Sequence, residues 1–243
     1  MSGSSDTAPG HALPDLPCPY LVVEGNIGAG KTTLAHALAA RYRCELVLES
    51  FADNPFLPLF YGDRERYALP LELFFLSERH RQMEPLLRQP TLFGAPVLAD
   101  YLYLKTWLFA RATLAGRERD LFRRLFDQLN AQVPLPRKLV YLHRPAEVLL
   151  RQIAGRGRDF ERGIDADYLL TVEQTYWRYL RGERRFPIVA LDLGDADFEH
   201  SAETLARVVA LVEHPHPDGL TIASLTEAPP TRPPAGSPPR RRR

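Results

Sequence analysis

Tyr20-Leu21-Val22-Val23-Glu24-Gly25-Asn26-Ile27-Gly28-Ala29-Gly30-Lys31-Thr32-Thr33 joins an apolar run to the helical pattern Leu34-Ala35-His36-Ala37-Leu38. From Gly25 to Thr32 it reads G-x-x-x-x-G-K-T, a phosphate-binding loop in strand-loop-helix context. Glycines let the backbone curl so that several N–H groups point at phosphate oxygens, and the helix N-terminus adds partial positive charge. Lys31 supplies a full charge near the β and γ phosphates, and the Thr32 hydroxyl suits Mg²⁺. A glycine-rich turn without a ligand is the alternative, but the complete motif in this setting is far more specific. Gly25, Asn26, Ile27, Gly28, Ala29, Gly30, Lys31, Thr32 and Thr33 are therefore expected to line a nucleotide phosphate site.

Outward from this loop, apolar runs recur as candidate strands at 20–24, 45–48, 96–99, 138–143 and 187–193. Amphipathic stretches between them predict helices over 31–42, 64–88, 102–114, 118–130, 145–155, 165–182 and 201–212, with Pro70 near the start of the second or kinking it. Such alternation predicts a parallel sheet covered by helices on both faces. Ligands bind outside the carboxyl ends of the strands in such sheets, the edge where Glu49, Asp100 and Arg144 fall.

At 243 residues the chain suits one α/β domain between flexible ends. The net charge of +1 is unevenly spread: residues 226–243 carry five arginines and one glutamate, so the remainder sums to −3. The folded part thus lacks the basic footprint of a nucleic-acid binder. Proline density and missing apolar periodicity predict a disordered tail over 216–243. Residues 1–17 are small, polar and proline-punctuated, without the basic start and apolar core of a signal peptide. No run reaches the length of a membrane span. Cys18 and Cys44 lack metal-ligand spacing and are expected to stay reduced, so the expected location is the cytoplasm, with no membrane partner.

A phosphate loop alone does not separate a nucleotide switch, an ATPase and a small-molecule kinase. Three further segments do: LESFADNPFLPLFYGDRERYALPLELFFLSERHRQ at 48–82, PVLADYLYLKTWLFA at 96–110 and RGRDFERGI at 156–164. Together, across roughly residues 18–212, they resemble the deoxynucleoside kinase family, most closely its bacterial deoxyguanosine kinase branch. The resemblance implies a three-layer phosphate-loop kinase fold with a five-stranded parallel sheet and an arginine-rich lid, formed by residues 18–215. It also implies ATP as phosphoryl donor, Mg²⁺, a small-molecule deoxynucleoside acceptor and a homodimer. The apolar residues Leu71, Phe74, Phe75 and Leu76 on the second helix suit either a dimer interface or ordinary core.

Each candidate has a plain reading beside the one the resemblance implies. Glu49, alone a surface glutamate at a strand end, becomes the general base for the substrate hydroxyl. Arg156 and Arg158, alone part of a solvated turn, become lid groups that stabilise the transferring phosphoryl. Glu161 and Tyr61 become the pair that holds the sugar 3′-hydroxyl. Glu72 and Arg79 share a helix face two turns apart; the resemblance turns them toward the nucleobase. An ionised carboxylate only accepts, which suits guanine N1–H and N2–H, and Arg79 would donate to O6 and N7. Phe109 is a base-stacking ring or core. Asp100 serves the metal or the 5′-hydroxyl. The family's arginine beside that hydroxyl has no equivalent, and Lys105 is the candidate substitute. Residues 191–198 are a plain turn or a border of the ATP adenine.

The expected activity is ATP- and Mg²⁺-dependent phosphorylation of a purine deoxynucleoside for salvage, deoxyguanosine favoured. Alternatives are deoxyadenosine or broad specificity, a nucleoside monophosphate kinase, and a non-catalytic nucleotide-binding protein on the same fold. A switch GTPase is disfavoured, because no N-K-x-D-like motif follows a strand.

Overall fold

Leu21, Val22 and Val23 have no solvent exposure, which places their strand in the middle of a sheet covered on both faces. The computed structural model describes residues 13–50, 54–88 and 95–225. Asp53, the start of the N-terminal segment and the arginine-rich run from 226 lie outside the described residues. In chain order the elements are β1 (Tyr20–Gly25), α1 (Lys31–Ala39), β2 (Glu45–Val47), α2 (Leu57–Gly62), α3 (Arg64–Arg88), β3 (Val97–Ala99), α4 (Lys105–Thr113) and α5 (Gly116–Asn130). They continue as β4 (Lys138–His143), α6 (Ala146–Arg156), a 3-10 helix (Asp159–Gly163), α7 (Ala166–Gly182), β5 (Pro187–Asp192), α8 (Ala202–Glu213) and β6 (Gly219–Ser224).

The sheet is parallel, in the order β2-β3-β1-β4-β5-β6. The chain steps to one side of β1 for β2 and β3 and to the other for β4 to β6. The loop after β1 therefore opens at the point where the strand order reverses, the place where open α/β sheets bind ligands. Helices flank the sheet. No helix among the described residues is long and apolar enough to cross a membrane.

The sequence expectation omitted α2 and the 3-10 helix, and it placed both ends of the folded part differently. The sheet has six strands rather than five, because Gly219–Ser224 pairs with β5 from Pro187↔Gly219 to Asp192↔Ser224. The segment was read as part of the tail because Pro215, Pro217 and Asp218 precede it and its apolar content is modest. The ordered chain also starts before residue 18. Asp15 bridges Arg43, and Leu16 is buried.

Helix ends follow local chemistry. Asp165 accepts a hydrogen bond from Tyr168 N at 2.7 Å and Ser201 accepts one from Thr204 N at 3.2 Å, so both side chains satisfy first-turn N–H groups. Gly157 ends α6 in the left-handed region (φ 65). Pro70 lies inside α3, which runs through it. Leu71 and Leu76 are buried and Phe75 is half-buried against the core, so these residues are used within one chain.

Candidate active site

The phosphate loop depends on two glycines for different reasons. Gly28 (φ 86) leaves no room for a side chain, since a Cβ would sit 2.9 Å from Leu149 O. Gly30 (φ 93) starts α1, and a Cβ there would meet the Phe198 ring at 2.8 Å. Arg144 pins the same region by donating to Ala29 O (3.3 Å), Gly194 O (3.0 Å) and Ala196 O (2.7 Å). The 191–198 turn is thus packed on the phosphate loop. Asn26 fastens the loop's front edge, donating from Nδ2 to Leu169 O at 2.8 Å.

Lys31 folds its ammonium back onto Asn26 O at 2.9 Å. Burial and repulsion from Lys105 push its pKa down to about 8, against the pull of Glu24, Glu49 and Asp100. A bound anion would reverse that shift. The Thr32 hydroxyl donates to Asp100 Oδ2 at 2.5 Å, and Asp100 Oδ1 accepts Glu49 N–H at 2.7 Å. Buried Asp100 therefore joins the loop to the segment that carries Glu49.

Glu49 is held from two directions. Oε1 accepts Arg79 Nε at 3.0 Å and Nη2 at 2.5 Å; Oε2 accepts Lys105 Nζ at 2.7 Å. Arg79 Nη1 donates to Thr106 Oγ1 at 2.8 Å. Burial alone would raise the Glu49 pKa. Lys105, Arg79 and Lys31 outweigh it and hold the carboxyl well below the ordinary carboxylate range.

These groups open on a cavity of about 570 Å³ whose wall includes Lys31, Thr32, Glu49, Tyr61, Glu72, Arg79, Asp100, Lys105, Phe109, Arg156, Arg158 and Glu161. At its far end lies Glu72, 1% exposed. Its Oε1 accepts the Thr113 hydroxyl at 3.0 Å, and its buried Oε2 has no hydrogen-bond partner among the described residues. Burial pushes its pKa up to about 7, against Arg79, Thr113 and Lys105. Phe109 stands edge-on to Tyr176, with the Lys105 ammonium 5.3 Å from its ring centroid. Phe75, Leu57, Leu71, Phe160 and Tyr168 complete the apolar wall.

The 3-10 helix meets α2 through a close backbone approach. A Cβ on Gly163 would lie 2.9 Å from Tyr61 Cβ, so only glycine lets the 3-10 helix pack against α2. Arg158 Nη1 donates to Glu161 Oε1 at 3.1 Å, and the buried Glu161 Oε2 has no hydrogen-bond partner among the described residues. Burial and the nearby Glu161 carboxylate raise the Tyr61 phenol pKa.

Every candidate from Lys31 to Glu161 named for phosphate, base or substrate thus lines one cavity. Arg79, expected to face the nucleobase, lines the cavity and donates to Glu49 and Thr106. From α3 its long side chain reaches past Glu72 to the carboxylate that needs a counter-charge. Sequence reasoning missed Thr106 and Thr113, although Thr106, Phe109 and Thr113 lie three, four and seven apart on α4 and share a face. It also missed Glu24, fully buried, which accepts Gly25 N at 2.9 Å and Leu102 N at 2.8 Å and ties the loop to the turn before α4. A glutamate closing an apolar strand was the available signal.

Because a buried carboxylate opens on the same cavity as the phosphate loop, the class is a phosphate-loop kinase rather than a nucleotide switch. Comparison with known proteins narrows this. The deoxynucleoside kinase family model matches residues 21–215. A deoxyguanosine kinase from Bacillus subtilis is 31% identical over 199 residues, covering 80% of this chain and 96% of the relative. A deoxyadenosine/deoxycytidine kinase from the same organism is 30% identical over 207 residues, covering 80% and 93%. Among solved structures, deoxyadenosine kinase from M. mycoides, with the products dCMP and a flexible dCDP bound, superposes with a TM-score of 0.66 at 18% identity, covering 78% and 95%. The chain belongs to the deoxynucleoside kinase family, and it is an enzyme that phosphorylates deoxynucleosides.

Proposed function

We propose that this kinase moves the γ-phosphoryl group of ATP to the 5′-hydroxyl of a purine deoxynucleoside, deoxyguanosine ahead of deoxyadenosine, in cytoplasmic purine salvage. The observation that carries the purine reading is Glu72: a buried carboxyl on the cavity wall with one oxygen unsatisfied. An unpaired buried acceptor is costly, and guanine N1–H and N2–H are donors of the right kind to relieve it.

Roles for the other residues follow from their chemistry. Glu49, ionised and oriented by Arg79 and Lys105, accepts the proton of the attacking hydroxyl. Lys105 stands where the expected arginine is missing and faces the same oxygen. Lys31 and the loop N–H groups bind the β and γ phosphates, and Arg156 and Arg158 meet the charge that spreads over the transferring oxygens. Tyr61 and Glu161 hold the 3′-hydroxyl, and Phe109 on the cavity wall stacks on the base. Thr32 and Asp100 bring two oxygens within 2.5 Å, a hard donor pair suited to Mg²⁺. Bound there, the ion would neutralise phosphate charge. Homodimer formation belongs to the same proposal and rests on the family resemblance.

Competition between deoxyguanosine and deoxyadenosine with wild type and Glu72→Gln tests the base reading. A fall in the guanine preference of tenfold or more is expected. An unchanged preference would remove Glu72 from base recognition.

A further inference from the structure

The Thr113 hydroxyl has one hydrogen and two acceptors. Its Oγ1 lies 3.0 Å from Glu72 Oε1 and 3.0 Å from Phe109 O, the carbonyl one turn earlier on α4. When Glu72 is ionised, the hydrogen points at Oε1 and stabilises the anion. When Glu72 takes a proton from solvent at Oε2, Oε1 is left as the carbonyl oxygen and still accepts the Thr113 hydrogen, more weakly than the anion does. Both states keep Oε1 an acceptor, and the titrating proton sits on Oε2, which has no hydrogen-bond partner among the described residues.

The two states present different faces to a purine. A carboxylate only accepts, matching the N1–H and N2–H of guanine. A carboxylic acid donates through one oxygen and accepts through the other, matching N1 and N6–H of adenine. We propose that Thr113 is a positioning residue for purine choice: its hydroxyl, held between Glu72 and the Phe109 carbonyl, lets Glu72 read guanine as a carboxylate and adenine as a carboxylic acid. This rests on Glu72 facing the base.

The groups around Glu72 leave it as the one that titrates. Arg79 on its own helix and Lys105 on α4 favour the anion, and Glu49, beyond β2, opposes it. Arg79 stays charged, and Glu49 stays ionised because its own pKa is lowered. Tyr61 on α2 and Tyr168 on α7 also feel Glu72, but burial keeps both phenols neutral. Burial of the carboxyl brings its titration close to neutrality, so both purine modes lie within reach of ordinary pH.

The test is the ratio of kcat/KM for deoxyguanosine over deoxyadenosine, measured with ATP across a pH window in which both purines are neutral. Steps common to both substrates, proton removal by Glu49 included, cancel in the ratio. In the wild type the ratio rises with pH through neutrality, by up to about tenfold per unit. Thr113→Val keeps the shape but removes the donor to the anion, and the rise moves up by about one pH unit. Thr113→Ser restores the wild-type curve. Thr113 ends α4 and is half-buried, so a role confined to helix packing would leave the curve in place. A wild-type ratio flat with pH overturns the proposal without any variant, and so does a Thr113→Val curve that overlies the wild type. Glu72→Gln separates the two layers. A flat, lowered ratio in that variant keeps the base reading, whatever Thr113→Val does; a wild-type curve in Glu72→Gln removes the base reading and this inference with it.

Discussion

Arg79 grips Glu49 through two guanidinium nitrogens, at 3.0 and 2.5 Å, and neither side chain is more than 12% exposed. With Lys105 on the other oxygen at 2.7 Å, the carboxylate faces two buried cations. A base so strongly ionised is a weak proton acceptor, which would matter if the reaction needed the hydroxyl deprotonated early. Phosphoryl transfer has a loose transition state and asks chiefly for position and charge. The network supplies position, and it keeps Glu49 charged at any pH the enzyme meets.

Lys105→Met removes the largest of the three stabilising charges and should raise the Glu49 pKa toward its ordinary value near 4.5. The kcat profile then acquires an acid limb that the wild type lacks above pH ~4, and kcat falls at least tenfold. The pH-rate profile reads this directly. A variant whose profile keeps the wild-type shape would mean that Lys105 does not control Glu49.

Stability should respond to acid through the same residue. The lowered Glu49 pKa contributes stability that is complete above about 4.5 and is lost as pH falls toward its folded value. Replacing Glu49 by Gln leaves Arg79 and Lys105 buried and unpaired, at a cost of roughly 3–5 kcal/mol near neutral pH. The gap should narrow in acid, as followed by urea unfolding.

Glu72 carries the opposite sign. Its carboxyl titrates near 7 in the fold and near 4.5 when unfolded, so the fold binds the extra proton between those values and loses stability as pH rises through them. Glu72→Gln should therefore gain about 1–3 kcal/mol relative to wild type between about pH 4.5 and about pH 8. Melting of the ligand-free protein checks it. A stability difference independent of pH would assign the titration elsewhere.

Gly30→Ala meets two obstacles, the positive φ of 93 and the Phe198 ring at 2.8 Å. The backbone term is about 1–2 kcal/mol. Phe198→Ala relieves the contact but not the dihedral, so the double variant should recover only part of the lost ATP affinity. Full recovery would mean that the ring, not the backbone, is the reason for glycine.

Lid variants separate chemistry from binding. Arg156→Ala and Arg158→Ala should each lower kcat by tenfold or more with a smaller change in KM for the nucleoside, since their charge matters most as the phosphoryl group transfers. An effect confined to KM would make them simple binding groups.

Much of this molecule was legible in the chain, for definite reasons. The run from Tyr20 to Thr33 encodes a buried strand, a glycine turn and a helix start through residue types that allow little else. Glu49 and Asp100 fell at the strand-end edge where such sheets bind ligands, and the resemblance to the deoxynucleoside kinase family supplied their expected roles. What escaped were relationships across the fold. Arg79 lies on α3 and Glu49 follows β2, thirty residues apart, and only the fold brings the guanidinium onto that carboxylate. Thr113 is ordinary until α4 brings its hydroxyl against Glu72. β6 was hidden because a short edge strand after two prolines carries little pattern, and its pairing partner β5 is what gives it order.

The most direct test of the central claim is steady-state transfer from ATP to deoxyguanosine, with Mg²⁺, by the full-length wild type and by Glu49→Gln. Binding of ATP to each should be verified by titration. A fall in kcat of about 10²–10⁴ with ATP affinity retained is the predicted result. Near-wild-type kcat in Glu49→Gln would contradict the assignment of Glu49 as the group that receives the proton of the attacking hydroxyl.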